Sequence, residues 1–248
     1  VSVALVLGGA TGIGAAGVRA LRGAGHRVVI ADRNLDSARA LAAEDLGPDA
    51  FAIEADLADP DIPRGAVAYA SELGGGTIDV VFYNAGVLIS HPLPEWTTAD
   101  WGRSVAVNLS GPFLTAVAAD SALKASAAGR FIVTSSTGAL RGHAGMPAYH
   151  ATKSGLLGLI RALADEWGPW GITANALLPG WVETAFNDPF WSSQPDPTRA
   201  EQELVSRIPL RRQGTPEDFS GAVAFLASEA SAYMTGQALI VDGGYSAV

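Results

Sequence analysis

An apolar run, Val3-Ala4-Leu5-Val6-Leu7, passes directly into Gly8-Gly9-Ala10-Thr11-Gly12-Ile13-Gly14, and no other stretch limits the fold so tightly. A short, partly β-branched run reads as a buried strand, and Ala15 to Leu21 after the glycines reads as a helix. Glycines at 8, 12 and 14 permit a sharp turn, close approach to a pyrophosphate and tight packing of helix on strand. In such a turn, which also contains Thr11 and Ile13, phosphate oxygens meet unpaired N–H groups and the positive end of a helix dipole. A second run, Arg27 to Ala31, closes the unit with Asp32, followed by Arg33. A carboxylate at that strand end accepts both hydroxyls of an adenosine ribose and repels a 2′-phosphate. Glycine is common here, 29 of 248 residues, so glycines alone would mark only a tight loop. The order strand, glycine turn, helix, strand and terminal acid marks a dinucleotide site.

The alternation continues along the chain. Asn34 to Leu46 has helical spacing and ends at Gly47-Pro48; Phe51 to Ala55 reads as a strand leading to Asp56-Leu57. Asp56 either meets the adenine edge or begins a turn. A helix over Ile62 to Leu73 precedes a strand over Ile78 to Tyr83, which runs into Asn84-Ala85-Gly86, small residues that admit a flat ligand. Helical spacing resumes near Thr98, and Pro112 deprives Asn108 of its regular helical bond, so a bend or a water site, held by the Asn108 side chain and a locally opened backbone, is expected there. Arg130 to Thr134 is a fifth strand, delivering Ser135-Ser136. Ile172 to Leu178 is a sixth, and Ala238 to Val241, after a helix from Pro216, is the seventh. The expectation is an α/β, single-domain Rossmann fold over residues 1–248, with a doubly wound, mainly parallel seven-stranded sheet.

Tyr149 and Lys153 stand four apart in an apolar helix opened by Pro147, hence on one face. A lysine beside a tyrosine favours the phenolate and lowers its pKa from about 10, so the pair can exchange a proton near neutral pH. Rival chemistries lack their residues. There is no cysteine, and the four histidines have no compact ligand pattern, so no metal site is expected. Ser136 is not framed as Gly-x-Ser-x-Gly and reads as a hydrogen-bond donor. His150 reads as a helix-surface residue or one that supports the site from behind. A formal net charge of -9 argues against nucleic-acid or anionic-membrane partners. No basic leader and no bilayer-length apolar run are seen, which makes a soluble, cytoplasmic protein the expectation.

With these residues the chain resembles the classical short-chain dehydrogenase/reductase family over essentially its whole length. The resemblance rests on Gly8, Gly12, Gly14, Asp32, Asp56-Leu57, Asn84-Ala85-Gly86, Asn108, Ser136, Tyr149-x-x-x-Lys153, Asn175, Pro179-Gly180 and the closing Gly236 to Gly244 segment. It implies NAD as cofactor, Ser136 holding a carbonyl or alcohol oxygen, and Tyr149 transferring the proton. It also implies that Lys153 binds the nicotinamide ribose and lowers the tyrosine pKa, and that Asn108 supports a water linking Lys153 to bulk. Pro179, Gly180, Val182 and Thr184 would lie against the nicotinamide, and a homotetramer would form. Two positions depart from the family: Leu7 stands where threonine is usual, and Tyr83 where the first of two asparagines is usual. Both fall near the strand ends beneath the cofactor, so an apolar and aromatic contact is expected in place of a hydrogen-bonded one.

Beyond the sixth strand, Trp181, Phe186, Phe190 and Trp191 make an aromatic-rich segment, within a substrate lid expected around 181–212. With Leu140, Met146, His143 and His91 they suggest an apolar pocket with few charged anchors, unless Arg141 or Arg211 lies close. The reading is a small or medium, mainly apolar secondary alcohol or its ketone, cyclic or aromatic. The alternatives are a sugar or polyol dehydrogenase, and a catalytically weak nucleotide-binding regulatory or structural protein.

Overall fold

The computed structural model describes residues 2–44 and 47–248. Seven strands, β1 (Val3–Leu7), β2 (Arg27–Asp32), β3 (Ala50–Glu54), β4 (Val80–Tyr83), β5 (Arg130–Thr134), β6 (Thr173–Pro179) and β7 (Ala238–Val241), form one sheet in the order β3-β2-β1-β4-β5-β6-β7. Every pairing is parallel. The helices are α1 (Gly12–Gly23), α2 (Leu35–Ala43), α3 (Ile62–Leu73), α4 (Thr98–Val105), α5 (Gly111–Lys124), α6 (Pro147–Trp167), α7 (Asp188–Ser192), α8 (Pro197–Arg207) and α9 (Ser220–Leu226). The expected single-domain, doubly wound architecture is therefore present.

β1 and its neighbour β4 are apolar or aromatic and buried throughout because both faces of the sheet are covered. Val3, Leu5 and Leu7 join one core with Ala66, Ala119, Leu123 and Ile160 from α3, α5 and α6. Ala4 and Val6, pointing the other way, join a second core with Val18, Leu41 and Val223 from α1, α2 and α9. Element ends differ slightly from the sequence reading. α2 stops at Ala43, and Leu46, expected on its apolar side, lies outside the described residues. β4 begins at Val80, two residues later than expected.

The two ends of the sheet have different work. At the amino ends, the Asp79 carboxylate accepts the Val3 amide at 2.7 Å and the Ser126 hydroxyl at 2.7 Å. Nearby, buried Arg130 pairs with Glu229 at 2.8 Å. At the carboxyl ends, β1, β2, β4, β5 and β6 release Gly8, Arg33, Asn84, Ser135 and Gly180 into one cleft. The strand order reverses between β1 and β4, and doubly wound sheets open a ligand crevice at such a switch point.

Candidate active site and cofactor cleft

A cleft of about 600 Å³ runs along these carboxyl ends, a volume suited to a small-molecule or cofactor site. Its lining includes Gly8, Thr11, Gly12, Ile13, Asp32, Arg33, Asp56 and Leu57 toward one end, and Ser136, Tyr149 and Lys153 toward the other. Gly8 has φ +75, and a Cβ there would meet Ala85 Cα at 2.5 Å. A Cβ on Gly14 would fall 2.0 Å from the Gly8 carbonyl oxygen, so α1 starts in backbone contact with the turn. Thr11, at the N-cap of α1, makes no side-chain cap bond, and the first helical N–H groups remain available to an anion. Asp32 is fixed by accepting the Ala10 and Asn34 amides, each at 3.0 Å. These features fit a dinucleotide laid across the turn.

The floor is stitched by Asn84. Its Nδ2 donates to the Gly8 carbonyl at 3.0 Å, and its Oδ1 accepts the Thr134 hydroxyl at 2.9 Å. The amides of Asn84 and Ala85 both donate to Leu7 O, at 2.8 and 2.9 Å. Leu7 and Tyr83 are register partners buried in one core, as their shared expectation required. The expected loss of polar contact is only half correct, however, because the Tyr83 hydroxyl donates to Val107 O at 2.8 Å.

Around Asn108 the helix opens into a π turn over Ala106–Ser110. Asn108 is fully buried, and its side chain grips Val87: Oδ1 accepts the Val87 amide at 2.8 Å, and Nδ2 donates to the Val87 carbonyl at 2.9 Å. The irregular backbone foreseen from Pro112 is present, while the side chain holds protein backbone.

Ser136 caps the short turn that follows it, its Oγ accepting the Gly138 amide at 2.9 Å. Tyr149 comes from the first turn of α6, and Lys153 lies one turn on, with Nζ 5.7 Å from the phenol ring centre. Lys153 Nζ donates to Thr134 O at 2.7 Å. Burial pushes the Lys153 ammonium down to about 7. Burial also pushes the Tyr149 phenol up to about 12, against a lowering hydrogen bond with Ser136. The sequence expectation of a lowered tyrosine pKa is thus corrected, since desolvation of the buried phenol outweighs the hydrogen bond with Ser136.

Of the expected substrate residues, Phe186 lines the cleft and packs against Tyr149, ring centres 6.1 Å apart. Trp181, Phe190 and Trp191 instead pack on one another, with centres 4.7 to 5.2 Å apart, over Leu204, Ile208 and Tyr245. His143 joins that cluster, and neither it nor Leu140, Met146 or His91 lines the cleft. His150 braces the preceding loop: Nδ1 bonds Gly138 O at 2.8 Å, and Nε2 accepts the His143 amide at 2.9 Å. Arg141 is spent on the Tyr245 carbonyl at 2.6 Å, and Arg211 on the Ser206 carbonyl. Pro179, Gly180, Val182 and Thr184 line the cleft, and Thr184 Cγ2 would touch a Cβ on Gly12 at 3.4 Å. Sequence reasoning missed Val87, Val107, Arg103 and Thr134 as lining residues. Thr134, the last residue of β5, carried a usable signal, because ligands sit at the carboxyl ends of such strands. Among the described residues no cluster of histidine and acidic side chains forms a metal site.

The model of the family described as enoyl-(acyl carrier protein) reductase matches residues 8–246. The chain is 38% identical to L-rhamnose 1-dehydrogenase (NAD(P)(+)) of Azotobacter vinelandii, over 97% of this chain and 94% of the relative. It is 36% identical to D-threitol dehydrogenase of Mycolicibacterium smegmatis, over 98% and 92%. It is also 36% identical to cis-4-hydroxycyclohexanecarboxylate dehydrogenase of Sinomonas cyclohexanicum, over 99% and 97%. Among solved structures, levodione reductase superposes with a TM-score of 0.93 at 30% identity, covering 100% of this chain and 98% of that one. A blue fluorescent protein from a metagenomic library, in complex with NADPH, gives 0.87 at 38% identity, covering 99% and 98%.

Proposed function

The chain belongs to the classical short-chain dehydrogenase/reductase family and is an NAD(P)-dependent oxidoreductase of alcohols and ketones; from that premise we propose that it uses NAD to interconvert a mainly apolar, cyclic or aromatic secondary alcohol and its ketone. The observation that carries the substrate reading is Phe186 beside Tyr149, with Val87 and Ala185 lining the same cleft. A flat or cyclic carbon skeleton rests against such walls.

NAD is the reading for the cofactor because Asp32 presents a fixed carboxylate where a 2′-phosphate would have to sit. When bound, the nicotinamide supplies the acceptor or donor of hydride. The residues of this chain handle the other half of the reaction. In oxidation the Tyr149 phenolate takes the hydroxyl proton as the carbinol carbon loses its hydride; in reduction the phenol returns that proton to the developing alkoxide. Ser136 holds the reacting oxygen, and Lys153 sets positive charge beside the tyrosine and bonds the nicotinamide ribose. Asn108 holds the backbone against which Lys153 works and supports a water joining the lysine to bulk. The segment around 181–212 acts as the substrate lid.

A second reading, a sugar or polyol dehydrogenase, is favoured by the names of the rhamnose and threitol relatives. Purified protein assayed with NAD and NADP against cyclic, aryl and aliphatic alcohols, sugars and polyols separates the two. Turnover of cyclic or aryl alcohols with NAD, lost in Tyr149→Phe, is the expected result. Preference for sugars would replace the apolar reading, and preference for NADP would overturn the role given to Asp32.

A homotetramer working in the cytoplasm belongs to the same proposal. Phe113 and Val117 of α5 and Trp101 of α4 are exposed, and so are Phe225 of α9 and Ile240 of the edge strand β7. Two such apolar groups suit the two kinds of two-fold contact in a dihedral tetramer, and light scattering at four chain masses is the expected result.

A further inference from the structure

In a π turn the amide of residue i+5 serves the carbonyl of residue i, and here Gly111 N donates to Ala106 O. The next carbonyl, Val107 O, would be served by residue 112. That residue is proline, which has no N–H. Val107 is itself buried, so its carbonyl would lack a partner inside the protein. Tyr83 supplies one, because its Oη donates to Val107 O at 2.8 Å from the end of β4. The fit is specific to what lies beside it: a Cβ on Gly111 would fall 2.1 Å from the Tyr83 hydroxyl oxygen, so only glycine admits the phenol. Burial raises the Tyr83 pKa well above its ordinary value, and the hydroxyl therefore stays a donor across the working pH range.

The next residue after Val107 is Asn108, whose two bonds hold Val87. Gly86, one step before Val87, lies against both groups. A Cβ there would be 3.4 Å from Asn108 Oδ1 and 3.6 Å from Lys153 Nζ. A chain of contacts thus runs from Tyr83 through the π turn and Asn108 to the wall of the cleft at Lys153.

We propose that Tyr83 is a positioning residue for the proton-handling centre: its hydroxyl replaces the amide that Pro112 lacks and holds the π turn in the register that aims Asn108 at Val87. The claim rests on the roles proposed above for Asn108, Tyr149 and Lys153, and its test must separate the two.

Tyr83→Phe removes one oxygen atom and keeps the ring. In amide hydrogen exchange of the variant, the Val87 amide is expected to exchange at least about tenfold faster than in the parent, while amides of β1 and β5 change little. This readout does not depend on turnover. In NAD-dependent oxidation, kcat should fall about tenfold with KM within about twofold, and the rise of activity with pH should move to higher pH, as Lys153 is less well held against the phenol. In an Asn108→Ala background, Tyr83→Phe should add little further loss, because the two residues act in series. An unchanged Val87 amide overturns the proposal, as does a loss of turnover that multiplies fully with Asn108→Ala. If the parent protein turns over no alcohol, the functional reading fails, and the Val87 amide alone still decides whether Tyr83 holds Asn108 in place.

Discussion

Asn108 and Val87 exchange two hydrogen bonds, 2.8 and 2.9 Å, between a fully buried side chain and the backbone of a loop 21 residues earlier. This pair ties the helix that carries the π turn to the cofactor cleft. Asn108→Ala leaves the Val87 amide and carbonyl unpaired and should cost about 2–4 kcal/mol of stability, with a fall in kcat. Denaturant unfolding and steady-state kinetics on the same preparation check both parts.

Lys153 makes stability depend on pH. Its pKa is about 7 in the folded chain and near 10.5 when unfolded. Between those values the unfolded chain holds the extra proton, so stability should rise as pH rises from about 7 toward 10. In Lys153→Met the rise should be smaller, and melting temperatures across that interval measure the difference.

On the proposed mechanism, Tyr149 should govern the pH dependence of turnover. With its phenol pushed up to about 12, oxidation, which needs the phenolate, should increase through the alkaline range. Ser136→Ala removes a hydrogen bond that lowers this pKa. The rise should then shift to still higher pH, and kcat should fall about tenfold or more in kcat–pH profiles.

Asp32 stands next to Arg33 at the edge of the cleft. Asp32→Asn keeps an oxygen to accept one of the two amides but removes the negative charge. The ratio of kcat/KM for NADP over NAD should increase about 10- to 100-fold, with Arg33 available to the 2′-phosphate. Parallel assays with the two cofactors give the ratio directly.

Gly14→Ala puts a methyl group 2.0 Å from the Gly8 carbonyl and 2.8 Å from Asn84 Nδ2, so both the glycine turn and the floor must shift. Binding of NADH, followed by fluorescence titration, should weaken at least about 100-fold. Gly12→Ala, whose Cβ meets only Thr184 at 3.4 Å, should be milder despite its φ of +55.

The strands were legible because buried parallel strands are written as apolar runs, as in Val3–Leu7 and the Phe131–Val133 centre of β5. The opened helix at Asn108 was legible for a covalent reason: proline at 112 has no amide wherever the chain goes. The partner that proline requires was not legible, since Tyr83 is 24 residues from Val107 and reaches it only when β4 lies beside the helix. The sign of the Tyr149 shift was lost for a similar reason, because desolvation depends on everything packed around the phenol. Aromatic content announced a cluster near Trp181 but not its facing; Phe186 turns to the cleft while Phe190 and Trp191 turn to Tyr245. His150 follows Tyr149 in sequence, yet its ring braces the Gly138–His143 loop, a contact with no signature in spacing.

The opposite ends of the sheet also give a rule for redesign. Asp79, Ser126, Arg130 and Glu229 lock the amino ends of the strands, whereas the cleft residues come from the carboxyl ends. A library confined to the amino-end loops can accumulate thermostability without redrawing specificity. One confined to the carboxyl-end loops explores new substrates on a frame whose fastening is left untouched.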